Sequence, residues 1–151
     1  MTLFINTTYN DQVLIMLKHG DGSVLASKKF KARFRQSEKL LPAIDKLLKD
    51  NQLKLSDLSG LEVENRGGSF TPLEKPFLTG FTALRIGVVT ANALAYALAI
   101  PLMAAGSKKL KIKSQKFSVV EPLYDREPEI TVKKISISVI AASEPQSRSK
   151  P

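Results

Sequence analysis

The 151-residue chain contains no cysteine and no tryptophan, and a single histidine, His19. Without cysteine there can be no disulfide framework and no thiolate metal site. One histidine excludes most zinc constellations. No phosphate-binding P-loop, HExxH helix or cysteine nucleophile occurs, so the common catalytic motifs are missing as well. No basic n-region or long apolar stretch opens the chain at Met1-Thr2-Leu3-Phe4-Ile5-Asn6, and the expectation is a cytoplasmic protein.

What is present is an ordinary globular composition, 43% hydrophobic and 25% charged, with a formal net charge of +9. That length suits one domain. The basic excess favours polyanions through counterion release, although lysines also mark plain solvated faces. Ile86 to Ala105 runs without a charge and is long enough for a membrane span, with Lys108-Lys109 after it. Asn92, Thr90, Gly87, Pro101 and the many alanines favour a buried helix of a soluble core instead, so no membrane partner is expected.

Residues 2 to 8, residues 12 to 17 and Ser23 to Phe30 read as three antiparallel strands, the last two joined by a turn at His19-Gly20-Asp21-Gly22. The period then changes. Leu40, Leu41, Ala43, Ile44, Leu47 and Leu48 fall at helical spacing, with Ser37 as the expected N-cap and Glu38 in the first turn. Pro42 predicts a later start or a bend. Ser56-Asp57-Leu58 reads as a turn, Gly60 to Glu64 as a short strand, and Asn65 to about Thr82 as a long loop.

A second helix is predicted from about Ala83 to Ala99, apolar nearly all round, with Gly87, Ala91 and Ala95 on one small-residue stripe. The stripe suits either packing within the lobe or close approach by a partner helix. Beyond Gly106, the segments Lys108 to Val120 and Ile130 to Ala141 read as two strands, joined by Glu121 to Glu129. Ser143 to Pro151 reads as a disordered tail. The domain expectation is therefore a lobe over 1–106, a short basic β-rich remnant over 107–142, and a tail over 143–151. His19, Asp11, Asp21 and Asp125 are read as loop or turn residues without catalytic partners.

Asn65-Arg66-Gly67-Gly68-Ser69-Phe70-Thr71, with Thr79-Gly80-Phe81-Thr82-Ala83-Leu84-Arg85-Ile86-Gly87 after it, resembles the GPGSFTGLRIG signature of the TsaB/YeaZ family. Ile5-Asn6-Thr7-Thr8 is similar to that family's IDTS-like first turn, Ser37 to Ile44 to its HSExLLPxI helix, and Leu53 to Val63 to its SLxDLxGI strand entry. Leu98 to Leu102 is similar to its helix exit, and Val120 to Thr131 to its closing PxYxRxPEIT segment. The resemblance implies an α/β mixed sheet forming a single actin- and Hsp70-like (ASKHA) N-terminal lobe: antiparallel strands 1–3, two packed helices and extra C-terminal strands, with most of the second lobe missing.

Asn6 stands where the family has Asp, Ala83 where it has Gly, and the signature is interrupted between its two Phe-Thr copies. A loop that could face an anion comprises Gly67, Gly68, Ser69, Phe81, Thr82 and Arg85. The resemblance further implies a non-catalytic scaffold that pairs with the catalytic subunit TsaD, with the TsaE ATPase joining, to attach threonylcarbamoyl to the tRNA adenosine 3′ of the anticodon. No cofactor is expected, and tRNA is met only indirectly. The partner-binding residues it implies are Leu41, Ile44, Leu48, Gly87, Ala91 and Ala95, with a second copy of the chain as alternative partner. Two rival readings are a nucleotide-dependent transferase or peptidase, and a basic RNA-binding module built on Lys108 to Lys116.

Overall fold

A computed structural model describes residues 1–9, 12–32, 35–67, 81–107 and 118–124, residue 9 by its backbone only. Strands β1 (Thr2–Tyr9), β2 (Gln12–Lys18) and β3 (Val24–Lys31) form the antiparallel meander expected from the alternating pattern. Leu3 faces Leu17 and Ile5 faces Ile15 across β1 and β2, so these four side chains form one apolar, buried patch on that pair. In the turn between β2 and β3, Asp21 Oδ1 accepts from the hydroxyl and the N–H of Ser23. Those two bonds hold the exposed Asp21 carboxyl below the ordinary carboxylate range.

Helix α1 (Gln36–Asp50) buries Leu40, Ala43, Ile44, Leu47 and Leu48, the face its 3.6-residue period predicts. Two expectations about its start are corrected. Arg35, not Ser37, occupies the cap and makes no side-chain cap bond; its Nε instead donates to Glu38 Oε2 at 2.9 Å. Nor does the helix start later than Ser37: it begins at Gln36, and Pro42 lies inside it and leaves the Glu38 carbonyl without its usual donor. A 3₁₀ turn at Leu55–Asp57 leads into β4 (Gly60–Val63), which pairs parallel to β1 with Leu3 opposite Leu61 and Ile5 opposite Val63.

After β5 (Arg66–Gly67), helix α2 (Phe81–Leu98) starts two residues before the expected Ala83 and returns the chain to β6 (Leu102–Ala104), parallel to β4. β6 was not legible in the sequence, where Leu98 to Leu102 reads as a helix exit. Last comes β7 (Leu123–Tyr124), which pairs parallel to β5. The main sheet thus runs β3-β2-β1-β4-β6. Both helices pack on this sheet, α2 over β1 and β4. By length and composition α2 could cross a membrane, but it buries Ala83, Leu84, Gly87, Val88, Ala91 and Ala95, as the core helix of a folded lobe does.

Two corrections concern the C-terminal strands: Ser118 to Val120 are not strand, and β7 lies in what reads as a linker. The expected strands over 108–117 and 130–141, and the tail, lie outside the described residues.

One contact sets how closely α2 approaches the sheet. Thr7, buried on β1, donates its hydroxyl to the Ala83 carbonyl at 2.6 Å. Four residues on, a Cβ at Gly87 would stand 2.4 Å from Thr7 Oγ1 and 3.1 Å from Thr7 Cγ2. Only glycine fits there without displacing one element. Gly87→Ala is therefore expected to lower stability by about 1–3 kcal/mol, the usual range for overpacking a filled core. Thr7→Ala in the same chain should recover part of that loss by removing both crowding atoms. Urea denaturation of the two single variants and the double variant measures the coupling directly.

Candidate functional site

The carboxyl ends of the parallel strands β1, β4 and β6 lie together, and open sheets of this kind present ligand crevices at that end. Here the crevice has two adjoining cavities. One, of about 430 Å³, is lined mainly by Leu102, Met103, Val119, Val120 and Leu123. The other, of about 410 Å³, is more polar and takes in Glu64, Arg66, Gly106 and Ser107. Asn65, Ala104, Ser107 and Leu123 border both.

At the end of β1 the Asn6 carboxamide oxygen accepts from the Thr8 N–H at 2.8 Å and from the Thr8 hydroxyl at 2.9 Å, so it is occupied within its own turn. Beside it, Gly67 holds φ at 142° and passes so close to Thr8 that a Cβ would lie 3.4 Å from Thr8 Cγ2. Two features thus call for glycine at that position, the positive φ and the close approach.

Residues 118–124 form a strap across α2 and the crevice. Val120 N–H donates to Asn92 Oδ1, and Asn92 Nδ2 donates to the Val120 and Val88 carbonyls. Asn65 Nδ2 donates to the Glu121 carbonyl at 2.8 Å, and the Leu123 N–H donates to the Asn65 carbonyl at 2.7 Å. Tyr124 then packs edge-on against Phe81, with ring centroids 5.1 Å apart, while Arg85 Nε donates to its hydroxyl at 2.7 Å. Sequence reading missed Asn65, Asn92 and Tyr124 as a set. A polar Asn92 on an otherwise apolar helix was the one local signal.

Several expected site residues have other roles. Phe81, Thr82 and Arg85 belong to the first turns of α2 rather than to a loop, and both Phe81 and Arg85 are engaged by Tyr124. Gly67 lies in β5; Gly68 and Ser69 lie outside the described residues. Of the six expected partner contacts, Ile44, Leu48, Gly87, Ala91 and Ala95 are buried within the lobe, and Leu41 alone is exposed. The small-residue stripe faces the sheet because that is where the closest backbone approach is needed.

Neither Ser107 nor Ser118 has a carboxylate or imidazole partner among the described residues, and His19 lies in the β2–β3 turn at the opposite end of the sheet. Among the described residues no group of three His, Asp or Glu side chains is placed to hold a metal ion.

No family model matches the chain, and no curated protein matches it significantly. Among solved structures it is similar to YeaZ from Pseudomonas aeruginosa, with a TM-score of 0.54 at 24% identity over 69% of this chain and 42% of that one. A second Pseudomonas aeruginosa structure, an uncharacterised protein described as similar to peptidase YEAZ, gives a TM-score of 0.55 at the same identity and coverage. The chain therefore has a YeaZ-like fold and spans less than half the length of these two proteins.

The strap's hold on α2 is testable. Asn92→Ala removes three hydrogen bonds and leaves the Val120 N–H unsatisfied, with an expected cost of about 1–3 kcal/mol. Amide hydrogen exchange should then quicken at Val120 to Tyr124 while β1 and β2 keep their protection.

Proposed function

We propose that the chain is a non-catalytic partner subunit of the machinery that attaches threonylcarbamoyl to tRNA, and that it docks through the outer faces of α1 and α2 on a TsaD-like catalytic subunit. The YeaZ-like fold supports this reading, as does the resemblance of the Ser37 to Ile44 and Phe81 to Gly87 segments to that family. Metal and acceptor chemistry then belong to the partner, and a TsaE-like ATPase joins the pair. A second copy of the chain can take the partner's place.

The observation that carries the docking surface is a row of large apolar side chains left in solvent. Leu41 on α1 is 51% exposed, and Val89 and Tyr96 on α2 are 65% and 74% exposed. Val89, Ala93, Tyr96 and Ala97 recur at helical spacing, and all four are exposed. At about 100° per residue, Val89 lies roughly 200° round the helix from Gly87. The outer stripe is thus the reverse side of the buried one, and an apolar row on two neighbouring helices suits helix-on-helix packing. The interface moves from Gly87, Ala91 and Ala95 to Leu41, Val89 and Tyr96.

Charge placed on this row should break pairing without unfolding the lobe. Val89→Glu with Tyr96→Glu is expected to weaken association with TsaD at least tenfold, about 1.4 kcal/mol, and to leave the melting temperature unchanged. Ala91→Phe should do the reverse, lowering the melting temperature of the isolated chain. Sedimentation with and without TsaD, paired with thermal melts, reads both. Wild-type association by the doubly charged variant would remove this surface from the reading, and absence of any complex with TsaD would remove the partner role itself.

A further inference from the structure

The acidic residues of α1 are unevenly placed. Glu38 pairs with Arg35 and Asp45 with Lys49, at 2.9 and 2.7 Å, on the outward side of the helix. Lys39 and Lys46 are also exposed but have no ion-pair partner among the described residues. Seven residues apart, they lie on one flank, about 10 Å from each other. On α2, which runs in the same direction over the same sheet, the flank bearing Asn92 meets the strap beside β6. The corresponding flank of α1 bears Leu41 and turns to α2, so Lys39 and Lys46 turn the other way, over β3.

β3 supplies further cations there. Lys28 is opposite Ile15 in register, which places it on the helix-covered side of the sheet, half-buried and, among the described residues, without an ion pair. Lys31 ends the strand, exposed and likewise unpaired. Four unpaired cations therefore run along the outer edge of the lobe. Among the described residues, the α1 carboxylate on this flank is Asp50, at the last residue of the helix. Like charges so arranged repel one another, and the chain places its other α1 carboxylates where they cannot relieve that repulsion.

We propose that this lysine ridge, Lys28, Lys31, Lys39 and Lys46, binds the phosphate backbone of a nucleic acid, independently of the helical docking face. A line of point charges along a strand edge and a helix flank matches a linear polyanion better than a compact anion, which needs a concave cradle. Among the described residues the exposed apolar side chains nearest in sequence to the four lysines are Leu41 and Pro42 on α1 and Val24 and Leu25 at the start of β3, too scattered to form the continuous apolar face that enters a lipid surface. Recognition is by charge and is indifferent to base sequence.

Fluorescence polarisation with a labelled random-sequence DNA duplex of roughly 20 base pairs, and with a single-stranded RNA of similar length, tests the proposal over a salt series from about 50 mM upwards. The full chain carrying Lys28→Gln, Lys39→Gln and Lys46→Gln is expected to bind at least tenfold more weakly at the lowest salt, with a log–log salt slope on the duplex shallower by about 2–3. Lys49→Gln with Lys54→Gln should bind like wild type. Thermal melting checks folding, and the fully exposed pair Lys39→Gln and Lys46→Gln alone should still flatten the slope by nearly 2. An unchanged slope in the ridge variants overturns the proposal. So does a loss that follows only Lys108→Gln, Lys109→Gln and Lys111→Gln, or tighter binding to anionic phospholipid vesicles than to either nucleic acid.

Discussion

The close seat of α2 on β1 is the constraint from which most of this lobe's geometry follows. Thr7 is buried and its hydroxyl is satisfied by the Ala83 carbonyl, so it can stay in the interior without an orphaned polar atom. The missing side chain at Gly87 lets the helix lie directly on that threonine. With α2 held there, Ala91 and Ala95 continue the contact at four-residue intervals, and Val89 and Tyr96 are turned outward. A buried small-residue stripe and an exposed apolar one are thus two consequences of a single rotation of the helix about its axis.

The same seat determines what the strap can reach. Asn92 lies on the flank of α2 turned towards β6, and both ends of its carboxamide bond the backbone at Val120. Asn65 at the end of β4 and Arg85 near the start of α2 complete the attachment. In the two longer Pseudomonas aeruginosa proteins the matched region is under half of the chain. Here residues 118–124 lie against the crevice end of the sheet, and Val119, Val120, Glu121 and Leu123 line its larger apolar cavity.

Charge is organised on a different side from either feature. Lys18 is neutralised by Glu62 at 2.7 Å and lies over the Phe4 ring, on the sheet face away from the helices. The α1 carboxylates take up Arg35 and Lys49. Part of the basic excess that composition shows therefore lies on the β3 edge and the adjoining α1 flank, while the apolar row of α1 and α2 faces elsewhere. Two surfaces of different chemistry can then act without competing.

Local pattern was enough for the three-stranded meander, the first helix and its buried face, and the existence of a long second helix. In each case side-chain period states which residues must leave water together. It could not orient α2, because a helix that is apolar on nearly every side has no period to read, and Gly87-Ala91-Ala95 and Val89-Ala93-Ala97 are equally regular in the sequence. Nor could it find β6, β5 and β7, strands of two or three residues whose hydrogen bonds come from segments remote in the chain and not from local propensity. The sequence alone thus determined the longer elements and most of the core. Which stripe of α2 became interior and which flank of it meets the strap through Asn92 were decided by the tertiary structure, because both depend on the one contact that brings Thr7 against Gly87, 80 residues apart in sequence.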